Sequence, residues 1–223
     1  MKTNKLIHFF VGISLVCFAP TLKAQNYVQD ISGNPIKAIT FSDVQGTPFL
    51  VDAWYPGSVR LANGNSYKEN LFLKYNIKQD ELYFKGKNDE TLAFVDPVVE
   101  FTIDYKLDHL HYKNGFNGIN GFTNTTFFQV LADGNVQLLK KITKTILEDR
   151  PYNSPTVNKV FADVEQYFLI VGGKPVTIKK DKKAILAAIG NKQAELETYI
   201  KANNLNVKND NDAAKLVIYY NSL

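Results

Sequence analysis

The sequence predicts a mostly β protein of the α+β class: an antiparallel β meander, forming a curved sheet or a partly closed barrel, with a short C-terminal helical segment packed on it. Two patterns support this. Short segments of alternating or continuous apolar residues, separated by turn signals, run from about residue 49 to residue 179, and helical periodicity replaces them after Asp181. The composition agrees, because 12 Tyr and 15 Phe favour sheets and supply large buried areas.

The N-terminus has the three zones of a secretory signal peptide. Lys2 and Lys5 precede the apolar stretch Leu6–Phe18, and Ala24 ends the segment before a polar flank. The apolar stretch is short for a bilayer span of ~20 residues, so we expect cleavage after Ala24 and no transmembrane span in the mature protein. An uncleaved anchor is one alternative. A lipoprotein anchored through Cys17 is a weaker one, because bulky Val16 precedes the cysteine.

Cleavage changes what the composition implies about partners and location. The segment 1–24 holds three lysines and no acidic residue, so its removal lowers the formal net charge from +4 to +1. The mature protein would therefore lack the basic surface typical of nucleic-acid binding, and we expect no nucleic-acid partner. It would also contain no cysteine, hence no disulfide and no thiol nucleophile. The expected location is exported, either periplasmic or extracellular.

After the signal peptide, we expect an extended lead-in over 25–48 and one β-rich domain over 49–223, which includes the helices at 181–223. Within the lead-in, Ser32–Pro35 is typical of a turn and Ile36–Phe41 of a short edge strand. The clearest early strand of the domain has apolar residues at every second position. These residues are Leu71, Leu73, Tyr75 and Ile77.

Two hairpins are predicted further along the chain. One surrounds Asp133-Gly134 and runs from Thr126 to Ile146, and the other surrounds Gly172-Gly173 and runs from Glu165 to Lys179. Leu147–Pro155 is predicted to be a polar link between them. His109–Phe122 is predicted to be a loop, because three Asn-Gly pairs recur in it and both residue types tolerate positive φ.

Three amphipathic helices are predicted at the C-terminal end. Asp181 is a candidate N-cap for the first and Gly190 ends it; Asn191 is the candidate cap of the second, and Asn209 or Asp210 that of the third. Their apolar stripes need a surface to cover, so we expect them to pack on the sheet or on one another. The stripe residues are Leu196, Ile200, Leu216, Val217 and Tyr220.

Eight segments spread over the mature chain form a recognisable pattern. They are Phe49–Asp52, Trp54–Gly57, Leu73–Asn76, Asp80–Leu82, Ile178–Lys183, Tyr199–Lys201, Lys215–Val217 and Tyr219–Leu223. Together they resemble a family of exported proteins of Gram-negative bacteria without an assigned activity. The resemblance covers most of the mature chain and implies export and a β-rich fold, but no catalytic residue.

The mature chain has one histidine cluster, and it is the strongest candidate for metal or acid–base chemistry. On a strand, His109 and His111 would share a face, and with Asp104 or Asp108 they could bind zinc. The competing interpretation is a solvated edge of the loop that follows. We therefore predict no metal site and no cofactor, with Asp108, His109 and His111 as weak metal candidates, and we assign no catalytic residue.

Two further features are compatible with chemistry but have simpler explanations. The carboxylate pairs Asp96/Glu100 and Asp104/Asp108 have the residue types of a glycoside hydrolase. The lysines at 179, 180, 182 and 183 could contact anionic lipid or polysaccharide, although a solvated helix face explains them as well.

The expected function is accordingly that of a non-enzymatic, exported binding or structural module of the cell envelope. Its partner is unknown, with an envelope protein or a glycan as the candidates. The alternative is a hydrolase of unrecognised type that uses Asp104, Asp108, His109 and His111.

Overall fold

The computed structural model describes residues 31–36, 41, 43–150 and 157–223, so the predicted signal peptide 1–24 lies outside the described residues. The described strands form one curved, open sheet, and the three helices of this part of the chain follow at its C-terminal end. The predicted fold class is confirmed. The strands are β1 Gly33–Pro35, β2 Val44–Gln45, β3 Tyr55–Leu61, β4 Ser66–Tyr67, β5 Phe72–Asn76, β6 Glu81–Lys85, β7 Thr91–Phe94, β8 Val98–Tyr105, β9 Asp108–Lys113, β10 Phe128–Ala132, β11 Val136–Asp149, β12 Asn158–Val171 and β13 Lys174–Ile178.

The sheet is mainly a meander, with strand order β1-β7-β6-β5-β3-β8-β9-β10-β11-β12-β13. From β8 to β13 each strand pairs antiparallel with the next one in the sequence. The short strand β4 adds to β3, and β2 pairs in parallel with β12. In such a sheet, residues that are far apart in the sequence become neighbours only at the positions that strand register aligns.

Both predicted hairpins are present, but the segment between them differs from the prediction. Strand β11 continues through Leu147 to Asp149, and it pairs with β12 from Val136↔Val171 to Asp149↔Asn158. The two strands therefore form one long ribbon that includes the first part of the predicted link, while 151–155 of that link lie outside the described residues. Cross-strand pairs such as Leu147↔Val160 extend the strand past its expected end at Ile146.

Two more local predictions are corrected by strand pairing. His109 and His111 lie in β9, which pairs with β8 throughout its length, so the Gly/Asn loop begins at Asn114. In the lead-in, Gly33–Pro35 is a strand paired with β7 and not a turn. Most of the edge strand predicted at Ile36–Phe41 lies outside the described residues, since 37–40 are not described.

The helices begin and end close to their predicted signals. Helix α1, Lys182–Ile189, is capped by the Asp181 carboxylate, which accepts a hydrogen bond from the Ala184 backbone N–H, and it ends at left-handed Gly190. Helix α2, Gln193–Ala202, follows Lys192, which has φ 53°, so the cap predicted at Asn191 is wrong. Helix α3, Asp210–Asn221, is capped by Asn209.

The helices pack on the sheet, as predicted. Leu196, Leu216 and Val217 are fully buried, in a core shared with Leu138 and Leu169 of β11 and β12. The end of α3 is fixed by Asn221. Its side-chain oxygen accepts a hydrogen bond from the Val136 backbone N–H at 2.9 Å, and its amide nitrogen donates to the carbonyl of Asp133 at 3.1 Å.

A second core, rich in aromatic rings, lies under β3, β5, β6, β8 and β9. Phe101 stacks on Tyr112 with ring centroids 4.9 Å apart, and Tyr75 and Phe127 contact Phe101 edge-on. None of the helices in the described part of the chain is long and apolar enough to span a bilayer. A third, smaller core consists of Ile119, Phe128, Leu139 and Phe168.

Candidate functional site

A row of register-paired residues crosses the middle of the sheet from β9 to β12. Tyr112 lies opposite Gln129, Gln129 opposite Lys140, and Lys140 opposite Tyr167. Paired residues project from the same face of a sheet, so these four side chains form one continuous strip. At its ends the strip meets Phe101 and Ile178, which are buried apolar residues. The interruption of an apolar face by four polar side chains is the feature that defines the site.

Three residues of this strip, Tyr112, Gln129 and Lys140, line an open cleft of about 750 Å³. The loop residues Leu50 and Val51 border it, and so do Lys208 and Asn209 just before α3 and the first two residues of the helix, Asp210 and Asn211. Its size falls within the range of ligand-binding clefts in proteins, roughly 300–1,000 Å³. The residues of α3 reach the cleft because the helix runs along the sheet from Lys140 to the β10–β11 turn.

A network of ion pairs joins the sheet to α3 on one side of the cleft. The Lys140 ammonium lies 2.7 Å from Glu165 and 2.9 Å from Asp210. Asp210 also binds Lys180, which donates a hydrogen bond to the Tyr167 hydroxyl at 2.8 Å. That hydroxyl lies 2.7 Å from Glu165 and 3.0 Å from Asp210. Two lysines and two carboxylates therefore neutralise one another around the Tyr167 hydroxyl group.

The pKa values follow from this pairing. Burial alone would raise the pKa of Asp210, but hydrogen bonds from Lys180 and Lys140 outweigh it, so the pKa lies below its ordinary value. The pKa of Glu165 is lowered in the same way, by Lys140 and Tyr167 against burial. Burial would lower the pKa of Lys140, yet its bonds to both carboxylates raise it. Both carboxyl groups are thus ionised at neutral pH.

Two polar groups on the cleft floor remain without hydrogen-bond partners among the described residues. The hydroxyl of Tyr112 is buried and unpaired. The side-chain amide of Gln129 is half-buried, and no described side chain or backbone group bonds to it. Buried polar groups in folded proteins are nearly always hydrogen-bonded, and exceptions such as the Tyr112 hydroxyl concentrate at sites that have a function. Gln129 lies opposite Tyr112 across β9 and β10 and is only half-buried, so its amide is the group of the two that a ligand in the cleft could reach.

The structure brings only part of the predicted histidine cluster to the cleft. Asp108 and His109 border it, and the His109 side chain is 81% exposed, with its Nδ1 2.6 Å from Asp104 Oδ1, whereas Asp104 and His111 do not line the cleft. On the same face as His109, His111 Nε2 lies 2.6 Å from Glu100 Oε1. The four candidates Asp104, Asp108, His109 and His111 therefore do not converge in one concave pocket. In the described ranges, no three His, Cys, Asp or Glu side chains are grouped so as to hold a metal ion.

The other candidates are engaged in separate contacts. Asp96 accepts a hydrogen bond from Asn63 at 3.0 Å, while Glu100 binds Arg60 and His111. Of the predicted lysine cluster, Lys180 belongs to the cleft network, and Lys182 lies 3.8 Å from Glu197 on the helix surface.

Four residues of the site were not predicted from the sequence: Gln129, Lys140, Tyr167 and Asp210. The available signal was the pair Lys140-Lys141 inside an otherwise apolar hairpin strand, since lysine is rarely buried without a partner.

No protein-family model, curated protein or solved structure was found to match this chain. What can be inferred about function therefore depends on the chemistry of the cleft itself.

Proposed function

We propose that this protein is a non-enzymatic binding module of the bacterial cell envelope and that its cleft holds a short saccharide. The observation that carries the proposal is the polar, charge-balanced lining of the cleft. Three lysines and three carboxylates line it, and most of them already neutralise one another. These residues are Lys140, Lys180, Lys208, Asp108, Glu165 and Asp210.

A lining of this kind favours a neutral ligand with many hydroxyl groups. An ionic ligand would have to break existing ion pairs before it gained its own, at the cost of leaving a partly buried charge unpaired. A sugar hydroxyl both donates and accepts, so it can join such a network without displacing a charge. Leu110 and Ile142 and the ring of Tyr105 supply apolar surface for the carbon face of a sugar ring.

The state of the carboxylates supports binding without hydrolysis. Glycoside hydrolysis requires one carboxyl group that stays protonated to act as the general acid, with its pKa raised. In this cleft the pKa values of both Glu165 and Asp210 are lowered, because lysines hydrogen-bond to them. Neither group is therefore prepared to donate a proton at neutral pH.

The envelope location depends on the predicted signal peptide. Mass spectrometry of the protein from its native envelope should find Gln25 at the N-terminus, either as free glutamine or cyclised to pyroglutamate. Finding residues 1–24 retained in a membrane fraction would contradict cleavage after Ala24.

Isothermal titration calorimetry against neutral oligosaccharides tests the proposed function directly. We expect saturable binding by the wild type and at least about tenfold weaker binding by Lys140→Met. The substitution removes the ammonium group that pairs with Glu165 and Asp210, so both carboxylates would lose a hydrogen-bond donor and change position in the cleft. Lys144→Met is the matched control. Lys144 lies on the same face of β11 and also forms an ion pair, with Asp163 at 2.7 Å, but it does not line the cleft. Absence of saccharide binding by the wild type, or an equal loss of affinity in the two variants, would contradict the proposal.

A hydrolase remains the second candidate because of the two histidine–carboxylate pairs. His109 with Asp104 and His111 with Glu100 each have the 2.6 Å contact of an oriented imidazole. Activity against ester or glycoside substrates that disappears in a His109→Ala, His111→Ala double variant would favour this candidate over the binding module.

A further inference from the structure

We infer that the saccharide bound in the cleft carries an acetamido group and that Gln129 is the residue that recognises it. This inference rests on the proposed function and makes it more specific, because it separates N-acetylated sugars from sugars that bear only hydroxyl groups.

The side chain of Gln129 has hydrogen-bonding capacity that the described residues do not use. Its side-chain amide offers an acceptor oxygen and a donor NH₂ group, and neither is used by the described residues. The residue is held between Tyr112 and Lys140 by the pairing of β10 with β9 and β11, so its backbone position is fixed. An acetamido group has the complementary N–H and C=O and can satisfy both ends of the glutamine amide at once.

The cleft that Gln129 lines also has apolar residues in its lining. Leu110, Leu131 and Ile142 line the same cleft, from β9, β10 and β11 respectively. The methyl of an acetamido group is a single apolar carbon next to an amide, and contact with these side chains would remove it from water. A hydroxyl could bond to Gln129 but would leave the apolar surroundings uncovered.

The charges beside Gln129 disfavour the other common substituents. An ammonium group, as in a free amino sugar, would have to approach the Lys140 ammonium, which already has two carboxylate partners. A carboxylate could accept a bond from the glutamine NH₂ but would face the unpaired glutamine oxygen as well as Glu165 and Asp210. A neutral amide avoids both conflicts.

The experiment compares three monosaccharides of the same ring geometry: N-acetylglucosamine, glucosamine and glucose. Titration calorimetry with the wild-type protein should give the tightest binding for N-acetylglucosamine, by about tenfold over the other two, as expected for two added hydrogen bonds and a buried methyl. Gln129→Leu should remove the preference, and Gln129→Glu should weaken it, because the carboxylate keeps the shape of the amide but loses the donor.

Gln166→Leu is the matched control for Gln129→Leu. Gln166 is an exposed residue of β12, which pairs with β11, and it does not line the cleft, so this variant should keep the wild-type preference. The comparison of sugars on the wild type alone tests the inference if Gln129→Leu does not fold.

The outcomes distinguish the inference from the function on which it rests. Equal affinity for glucose and N-acetylglucosamine would overturn the acetamido inference and leave the saccharide module standing. No binding of any sugar would overturn both. Tighter binding of an acetylated dipeptide amide than of any sugar would show that the cleft recognises a peptide amide, and it would overturn the inference as well.

Discussion

Lys140 and Lys141 are neighbours on β11, yet they belong to different regions of the molecule. Consecutive residues of a strand point to opposite faces, so Lys140 enters the open cleft and Lys141 does not. Both residues are almost completely buried, at 8% and 3% exposure. The pKa of Lys140 is raised, whereas burial lowers the pKa of Lys141 and the attraction of Asp80 only partly offsets it.

The surroundings of Lys141 are those of a structural contact. Its ammonium lies 2.6 Å from Asp80, 3.0 Å from the carbonyl of Phe127 and 3.3 Å from the Tyr75 hydroxyl. The same Asp80 carboxylate accepts hydrogen bonds from the Tyr75 hydroxyl and the Phe127 backbone N–H. Asp80 thus ties the β5–β6 turn to the start of β10 and to β11.

The comparison teaches that a buried lysine is not by itself a sign of function. At Lys141 one carboxylate serves three donors and the groups saturate one another in the interior. At Lys140 the network is also paired, but it adjoins a solvent-open cleft in which the buried Tyr112 hydroxyl and the half-buried Gln129 amide have no hydrogen-bond partner among the described residues. The presence of unpaired neighbours, and not the burial of charge, distinguishes the candidate site.

The largest effect should come from removing the helical side of the Lys140 region. Deletion of residues 191–223 should give an aggregating or protease-sensitive protein. Leu196, Leu216 and Val217 are fully buried, and each such side chain contributes ~1.5–3 kcal/mol against a typical net stability of ~5–15 kcal/mol. Limited proteolysis and size-exclusion chromatography measure this. A monomeric product with unchanged melting temperature would show that the helices are an independent appendage.

The next effect tests the Lys141 region. Asp80→Ala should lower the free energy of unfolding by about 3–5 kcal/mol, because it leaves Lys141 buried without a carboxylate. Urea denaturation gives the value. Asp52→Ala is the control and should cost less than about 1 kcal/mol, since Asp52 pairs with Lys74 but its side chain is 60% exposed. Lys141→Met should be milder than Asp80→Ala; if it is equally damaging, the ion pair stabilises more than an apolar side chain would.

A moderate effect is expected in the cleft network. Asp210→Asn should lower the free energy of unfolding by about 1–3 kcal/mol at pH 7, because Lys140 and Lys180 lose a charged acceptor.

The same variant gives a pH test. The pKa of Asp210 lies below its ordinary value of 3.8 in the folded protein, so its contribution is fully present above that value and is lost as pH falls through the folded-state pKa. The difference in melting temperature between wild type and Asp210→Asn should therefore close below about pH 4. A difference that stays constant down to pH 2 would contradict the ionic role of Asp210.

The smallest effect has the opposite sign. Tyr112→Phe should leave the stability unchanged or raise it by up to about 1 kcal/mol, because it removes a buried hydroxyl that has no partner among the described residues. Tyr75→Phe is the matched variant within the same aromatic core. It should destabilise by about 1–2 kcal/mol, since that hydroxyl bonds to Asp80. Thermal denaturation of both variants measures these changes in stability. A lower melting temperature for Tyr112→Phe would mean that the Tyr112 hydroxyl has a hydrogen-bond partner in the wild type.

The sequence alone determined the fold class, the two hairpins whose turns contain glycine, and the helices capped by Asp181 and Asn209. These features depend on periodicity and on turn or cap chemistry, which are local and act within a few residues. The same local signals failed at 147–149 and at His109, where pairing with a neighbouring strand overrode the polar composition.

Only the tertiary structure decided the site. Gln129 and Lys140 are brought together with Asp210 by strand register and by the packing of α3, across as many as 81 positions of sequence. No local pattern encodes such a contact, because register depends on the whole sheet and helix placement depends on which apolar stripe covers which core. Conversely, the sequence-adjacent group of Asp108, His109 and His111 does not form one site, because strand pairing gives each histidine its own carboxylate on β8, Asp104 for His109 and Glu100 for His111.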